Sequence, residues 1–108
     1  CEVYRDAGVD VFHVTSGGEG PAGRRKPGNF PGYQVPFARK IKEALNVPVV
    51  AVGMLENPTL ADAVVRNGDA DLVAIARGLL RDPYWAMNAA VALKQQTDIP
   101  KQYVRAYQ

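Results

Sequence analysis

The sequence predicts an α/β chain built on a parallel sheet, and three observations carry that expectation. Three short apolar runs, "VDVFHVTS" (9–16), "VPVVAVGM" (47–54) and "ADLVAIA" (70–76), alternate with segments whose apolar residues recur at helical spacing. The second and third runs are almost unbroken, as expected of parallel strands covered on both faces. The turns from strand to following helix are short after the second and third runs, and alternating strands and helices of this kind imply right-handed crossovers.

The elements follow in order. "CEVYRDAG" reads as the last turns of a helix. The first strand, 9–16, is rich in β-branched and aromatic residues and is stopped by "GGEGPAGRRKPGNFPG" (17–32), too dense in Gly and Pro for helix or sheet. "QVPFARKIKEALN" places Val35, Ala38, Ile41 and Leu45 on one stripe, with Arg39, Lys40, Lys42 and Glu43 mostly off it. After the second strand, "ENPTLADAVVRNG" has Asn57 at the N-cap, Pro58 at the first helical position and Gly68 as the stop, with Leu60, Ala61, Val64 and Val65 as its inner face. The third strand leads to "RDPYWAMNAAVALKQQ", a helix expected to be capped by Asp82 and begun by Pro83, packing through Trp85, Ala86, Ala89 and Leu93. The tail "TDIPKQYVRAYQ" has no clear period.

Composition narrows the function classes. The 108 residues are 47% hydrophobic and 22% charged, a globular balance. Thirteen basic and eleven acidic residues give a net charge of +2 and are interspersed, so no single-sign field is implied. The one basic cluster, Arg24-Arg25-Lys26, sits in a Gly/Pro loop without interleaved aromatics and reads as a solvated loop rather than a nucleic-acid contact. One Cys excludes an internal disulfide and fits a reducing compartment, so a cytoplasmic protein is expected. One His and no Cys/His cluster leave a metal site unsupported. The longest apolar run is broken by Pro48 and Gly53 and is far short of the roughly 20 residues that span a bilayer.

Three parallel strands make a poor isolated domain, because both edge strands would carry unpaired backbone groups. The expectation is therefore the C-terminal part of a larger βα-repeat protein, most simply the last three units (strands 6–8) of an eight-stranded (β/α)8 TIM barrel, with residues 1–96 in the barrel and 97–108 as a tail. Ligands collect at the C-terminal edge of such sheets, so the informative residues follow each strand: Thr15-Ser16-Gly17-Gly18, Gly53-Met54 and Ala76-Arg77-Gly78. Small residues let backbone N–H groups approach an anion. In barrels a phosphate site is commonly built from the loops after strands 7 and 8 with a short extra helix, for which "GLLRD" is available. A guanidinium at the exit of an apolar strand is either paired with a carboxylate, here Asp71 or Asp82, or waiting for an anion. His13 alternates with Phe12 and Val14, so it points to the other face, and a lone strand His is more often a core residue than a catalyst. Tyr33 and Trp85 read as packing residues, and Asp10 and Asp71 lie at the opposite end of the strands from any ligand.

"GVDVFHVTSGG", "FPGYQVPFA", "VPVVAVGM", "DLVAIARGLLRDPYWA" and "QYVRAY" together resemble the C-terminal third of the Old Yellow Enzyme family, in its bacterial, thermophilic-like NADPH dehydrogenase branch. The likeness covers nearly the whole chain, with "ARGLLRDP" and "FPGYQV" its most specific parts. It implies an FMN-dependent (β/α)8 barrel that reduces activated alkenes of the enone type with hydride from NADPH through the flavin. It further implies that Gly53, Met54, Ala76 and Arg77 surround the FMN phosphate. A Gly is common in the family where this chain has Ala76, and Ala is small enough to keep the approach. Arg105 resembles a C-terminal Arg that reaches a neighbouring subunit's active site, which implies a homo-oligomer; without the family it reads as a solvated tail residue. The family's substrate-anchoring, proton-donating, flavin-gripping and flavin-tuning residues lie on earlier strands and have no counterpart here; Cys1 is not the tuning cysteine. Two other classes stay open: the phosphate-binding portion of another TIM-barrel enzyme, and a non-catalytic unit docking on a partner.

Overall fold

A computed structural model describes residues 1–17, 28 and 30–107. Gly18 and the Arg24-Arg25-Lys26 cluster lie outside the described residues. The chain divides into two compact units, Cys1–Ile75 and Ala76–Gln108.

In the first unit the order is α1 (Glu2–Asp6), β1 (Phe12–Val14), α2 (Val35–Leu45), β2 (Val49–Val52), α3 (Pro58–Arg66) and β3 (Leu72–Ala74). The strands form one parallel sheet in the order β1-β2-β3, with Val14 opposite Ala51 and Ala51 opposite Val73. The expected alternation and parallel pairing are both present. Each strand is shorter than its apolar run, because ladder bonding persists for only three or four residues before the backbone leaves for the next loop.

Strand alternation sorts the side chains into two faces. Phe12, Val14, Val49, Ala51, Val73 and Ile75 join Ala38, Ile41, Leu55, Leu60 and Val64 in the core beneath the helices. Val49 and Leu55 are the largest fully buried side chains among the described residues, and burying each stabilises the fold by about 1.5–3 kcal/mol. The register puts His13, Val50, Val52, Leu72 and Ala74 on the other face, where Leu72 is 60% exposed.

The helices show their local causes. In α2 Ala38 and Leu45 are buried, and Val35 and Ile41 of the same stripe are half-buried. In α3 the Asn57 side chain accepts from the Leu60 N–H at 3.1 Å, and Pro58 takes the first position, where no N–H is needed. The helix ends in a Schellman motif: Gly68, at φ +74°, donates to Val65 O and Asp69 donates to Val64 O. Val65, expected on the inner face, is 42% exposed. It lies on the flank of the stripe that Leu60, Ala61 and Val64 define.

The second unit holds α4 (Arg77–Arg81), α5 (Trp85–Ala92) and a 3-10 turn at Val104–Ala106. The short helix expected of "GLLRD" is α4. The final helix begins at Trp85, not at Pro83, and stops at Ala92 rather than running to Gln96. Asp82 is extended (φ −136°, ψ 94°), as a residue before Pro tends to be, so α4 ends and the chain turns before α5 starts. Asp82 still serves the later helix, accepting from the Tyr84 N–H at 3.0 Å and from Asn88 Nδ2 at 2.8 Å. Ala89 is the buried residue of α5, and Ala86, expected beside it, is exposed. Among the described residues no helix is long and apolar enough to cross a membrane.

Candidate functional site

The exits of β1 and β2 lie at the same edge of the sheet because the strands are parallel. At the β2 exit, Gly53 and Met54 both have positive φ, +119° and +53°. Gly53 is buried, and its carbonyl oxygen accepts from the Gly32 N–H at 2.9 Å. A Cβ on Gly53 would come within 3.1 Å of both Gln34 Nε2 and Tyr33 Cε1. Glycine is therefore required twice over, by the backbone conformation and by the space.

At the β1 exit, the Ser16 N–H and hydroxyl both donate to Gln34 Oε1, the hydroxyl at 3.0 Å. Gln34 is 3% exposed and is the buried polar side chain among the described residues. It occupies the N-cap of α2 but makes no capping bond there; its side chain crosses to the strand exit instead. The turn at 30–34 thus touches two strand exits, one through Gln34 and one through Gly32. Tyr33 is half-buried and meets Phe30 edge-on, with centroids 6.2 Å apart, consistent with the packing role expected of it.

At the opposite end of the sheet, Asp71 accepts from Lys42 Nζ at 2.7 Å and from the Val49 N–H at 2.9 Å. The bond from Lys42, then that from Val49, hold its carboxyl below the ordinary carboxylate range. This matches the stability end expected for Asp71. His13 is exposed on the face away from the helices.

In the second unit, Ala76 precedes α4 and Arg77 is its first residue; both are exposed. Among the described residues of this unit no carboxylate forms an ion pair with Arg77. Of the two carboxylates considered as its structural partners, Asp71 is bonded to Lys42 and Val49, and Asp82 to Asn88 and the Tyr84 N–H. Arg105 lies exposed in the 3-10 turn. Nearby in the chain, the hydroxyls of Tyr84 and Tyr103 are 3.3 Å apart, and this bond raises the Tyr84 pKa. Among the described residues no group of three His, Cys, Asp or Glu side chains is placed to hold a metal.

Sequence reasoning singled out Gly53, Met54, Ala76 and Arg77 but missed Gln34. A polar residue set between Tyr33 and Val35, at a cap position usually held by Ser, Thr, Asp or Asn, was the available signal.

A parallel sheet with a positive-φ glycine after one strand and an arginine after the next defines the βα-repeat class, whose ligands bind at the strand exits. Residues 9–96 match the NADH:flavin oxidoreductase / NADH oxidase family, and the chain belongs to that family. The NADPH dehydrogenase of Geobacillus sp. (strain WCH70) is 43% identical over 103 residues, covering 95% of this chain and 29% of that protein. The NADPH dehydrogenases of Bacillus pumilus (strain SAFR-032) and Bacillus subtilis (strain 168) are 42% and 41% identical over 103 residues, covering 95% of this chain and 30% of each relative. The chain thus spans less than a third of the length of these relatives, whose aligned share measures 29–30%.

Proposed function

We propose that the chain is the C-terminal portion of an FMN-dependent NADPH dehydrogenase of the ene-reductase type, contributing strands 6–8 of a (β/α)8 barrel and the phosphate end of the FMN site. The family membership and the name shared by the relatives support the flavin and the nicotinamide donor. The observation that carries the phosphate assignment is the exposed Arg77 guanidinium, which directly follows an apolar strand while Asp71 and Asp82 are engaged elsewhere.

The residues present fit a phosphoryl group. A dianion asks for a cation with a fork of donors and for backbone close enough to reach its oxygens. Arg77 meets the first need. Gly53 and Met54, at positive φ after β2, would meet the second, with no Cβ at Gly53 in the way. Bound FMN supplies hydride transfer between NADPH and an activated alkene such as an enone. This chain's part is to grip and orient the phosphate so that the flavin is fixed for groups elsewhere in the barrel. Arg105 extends the reading to a homo-oligomer, in which it contacts substrate bound by the neighbouring subunit.

The test is Arg77→Ala in the full-length protein. Loss of one charge-assisted bidentate partner weakens FMN retention by about 10–100-fold, so the variant purifies depleted of flavin with an unchanged circular dichroism spectrum. A variant as yellow as its parent refutes the phosphate assignment.

A further inference from the structure

We propose that Gln34 is a positioning residue for the phosphate end of the flavin site, acting by locking the exits of β1 and β2 together. The inference rests on the phosphate reading above and adds a residue that no strand exit contains.

Burying a primary amide is costly unless its polar atoms are used, so a 3% exposed Gln needs a reason. Its position removes the ordinary ones. As the N-cap of α2 it makes no side-chain bond to its own helix, whose first turn is served by the Gln34 backbone carbonyl accepting from Phe37 N and Ala38 N. Its Oε1 instead takes both donors of Ser16, 18 residues earlier, and so fixes the backbone N–H and the side chain of the first residue beyond Thr15 together. The other end of the same side chain stands against Gly53. Gln34 Nε2 is 3.1 Å and Gln34 Cγ 3.3 Å from the place a Cβ would occupy there.

One side chain therefore contacts both strand exits, and the backbone of the same turn ties the second exit again through Gly32 N–H to Gly53 O. Met54, at φ +53°, sits in a left-handed conformation that a non-glycine residue adopts only when its surroundings hold it, and Gln34 stands against the residue before it. Neither Leu nor Met could replace it, since neither offers an acceptor to the Ser16 donors. Asn would fall one methylene short of Ser16.

The experiment compares FMN with riboflavin, which lacks the phosphate, as ligands of the full-length apoprotein, using quenching of flavin fluorescence. In Gln34→Leu the Kd for FMN rises by about 10-fold while that for riboflavin moves by less than about 2-fold, because the loss falls on the phosphate end. General damage to the barrel weakens both flavins alike, so equal losses, or no loss, overturn the proposal. Should Gln34→Leu fail to fold, Ser16→Ala removes one of the two donors and keeps the other; about a 3-fold loss confined to FMN is expected, and a loss shared by riboflavin overturns the role. Arg77→Ala measured alongside separates the two possible failures. If that variant keeps FMN, the phosphate reading falls and Gln34 with it; if it loses FMN while Gln34→Leu does not, only the role of Gln34 is refuted.

Discussion

Asp71 and Val49 exchange two hydrogen bonds: the Asp71 N–H donates to Val49 O at 2.9 Å, and the Val49 N–H donates to Asp71 Oδ2 at 2.9 Å. The second bond closes the start of β2 against the start of β3, where the ladder itself has not begun. Lys42 Nζ, 2.7 Å from the other carboxylate oxygen, ties α2 to the same point.

The bond from Lys42 and then the bond from Val49 lower the pKa of Asp71 beneath its ordinary 3.8. A carboxyl depressed in the folded state adds stability that is present above its unfolded pKa and lost as pH falls through the folded value. Asp71→Asn keeps an acceptor for Val49 but removes the charge, so the variant melts below its parent at neutral pH. The gap between their melting temperatures narrows on acidification below about pH 4 and closes once the native carboxyl is protonated. Thermal melts of both proteins from pH 7 down to pH 2.5 decide it; a gap independent of pH assigns the effect to shape rather than charge.

Asn57 caps α3 through a single bond to the Leu60 N–H, with Pro58 next to it. Asn57→Ala leaves that donor without its partner and destabilises the protein by about 1 kcal/mol. Asn57→Asp retains the acceptor and adds a charge favoured at a helix start, so it matches or slightly exceeds the parent. Urea denaturation of the three proteins gives the ranking, and an Ala variant as stable as the Asp variant removes the cap from the account.

The contrast between these helices and the site marks what a sequence can disclose. The α3 boundaries were legible because the signals are local: Asn57, Pro58 and Gly68 act on their own neighbours. The alternation of strands and helices was legible because apolar runs and helical stripes differ in period. The start of α5 was not, since Asp82 and Pro83 suit both the start of a helix and a turn, and the extended Asp82 resolved the choice toward the turn. Gln34 was less legible still. Its cap position is visible in the sequence, but its burial depends on Ser16 arriving from the β1 exit, a long-range coincidence that leaves no periodic signature. Arg77 stood out as a cation after an apolar run, but that Asp71 is bonded to Lys42 and Asp82 to Asn88 became visible only in the structure.

Gly53 offers a test of the β2 exit that is independent of any ligand. Gly53→Ala must hold φ near +119°, which L-residues rarely adopt, and must displace Gln34 and Tyr33 from 3.1 Å. Such strain costs about 1–3 kcal/mol, and the crowding adds to it. The crowding component is separable: in Gln34→Ala the neighbour is truncated, so Gly53→Ala costs less in that background than in the parent. Denaturation of the four proteins of the cycle measures the coupling, and strict additivity shows that Gln34 does not press on Gly53.

Arg105 tests the proposed assembly. It is exposed in a 3-10 turn near the end of the chain, and the reading given above has it contact substrate held by a neighbouring subunit. An arginine that meets only bound substrate contributes to ground-state and transition-state binding alike, so Arg105→Ala raises KM for an enone by about 10-fold and changes kcat little. Flavin content stays at the parent level, which distinguishes the effect from loss of Arg77. The oligomer must also be real: sedimentation at assay concentrations shows more than one subunit for both proteins. A monomeric parent, or a KM that does not move, returns Arg105 to the status of a solvated tail residue.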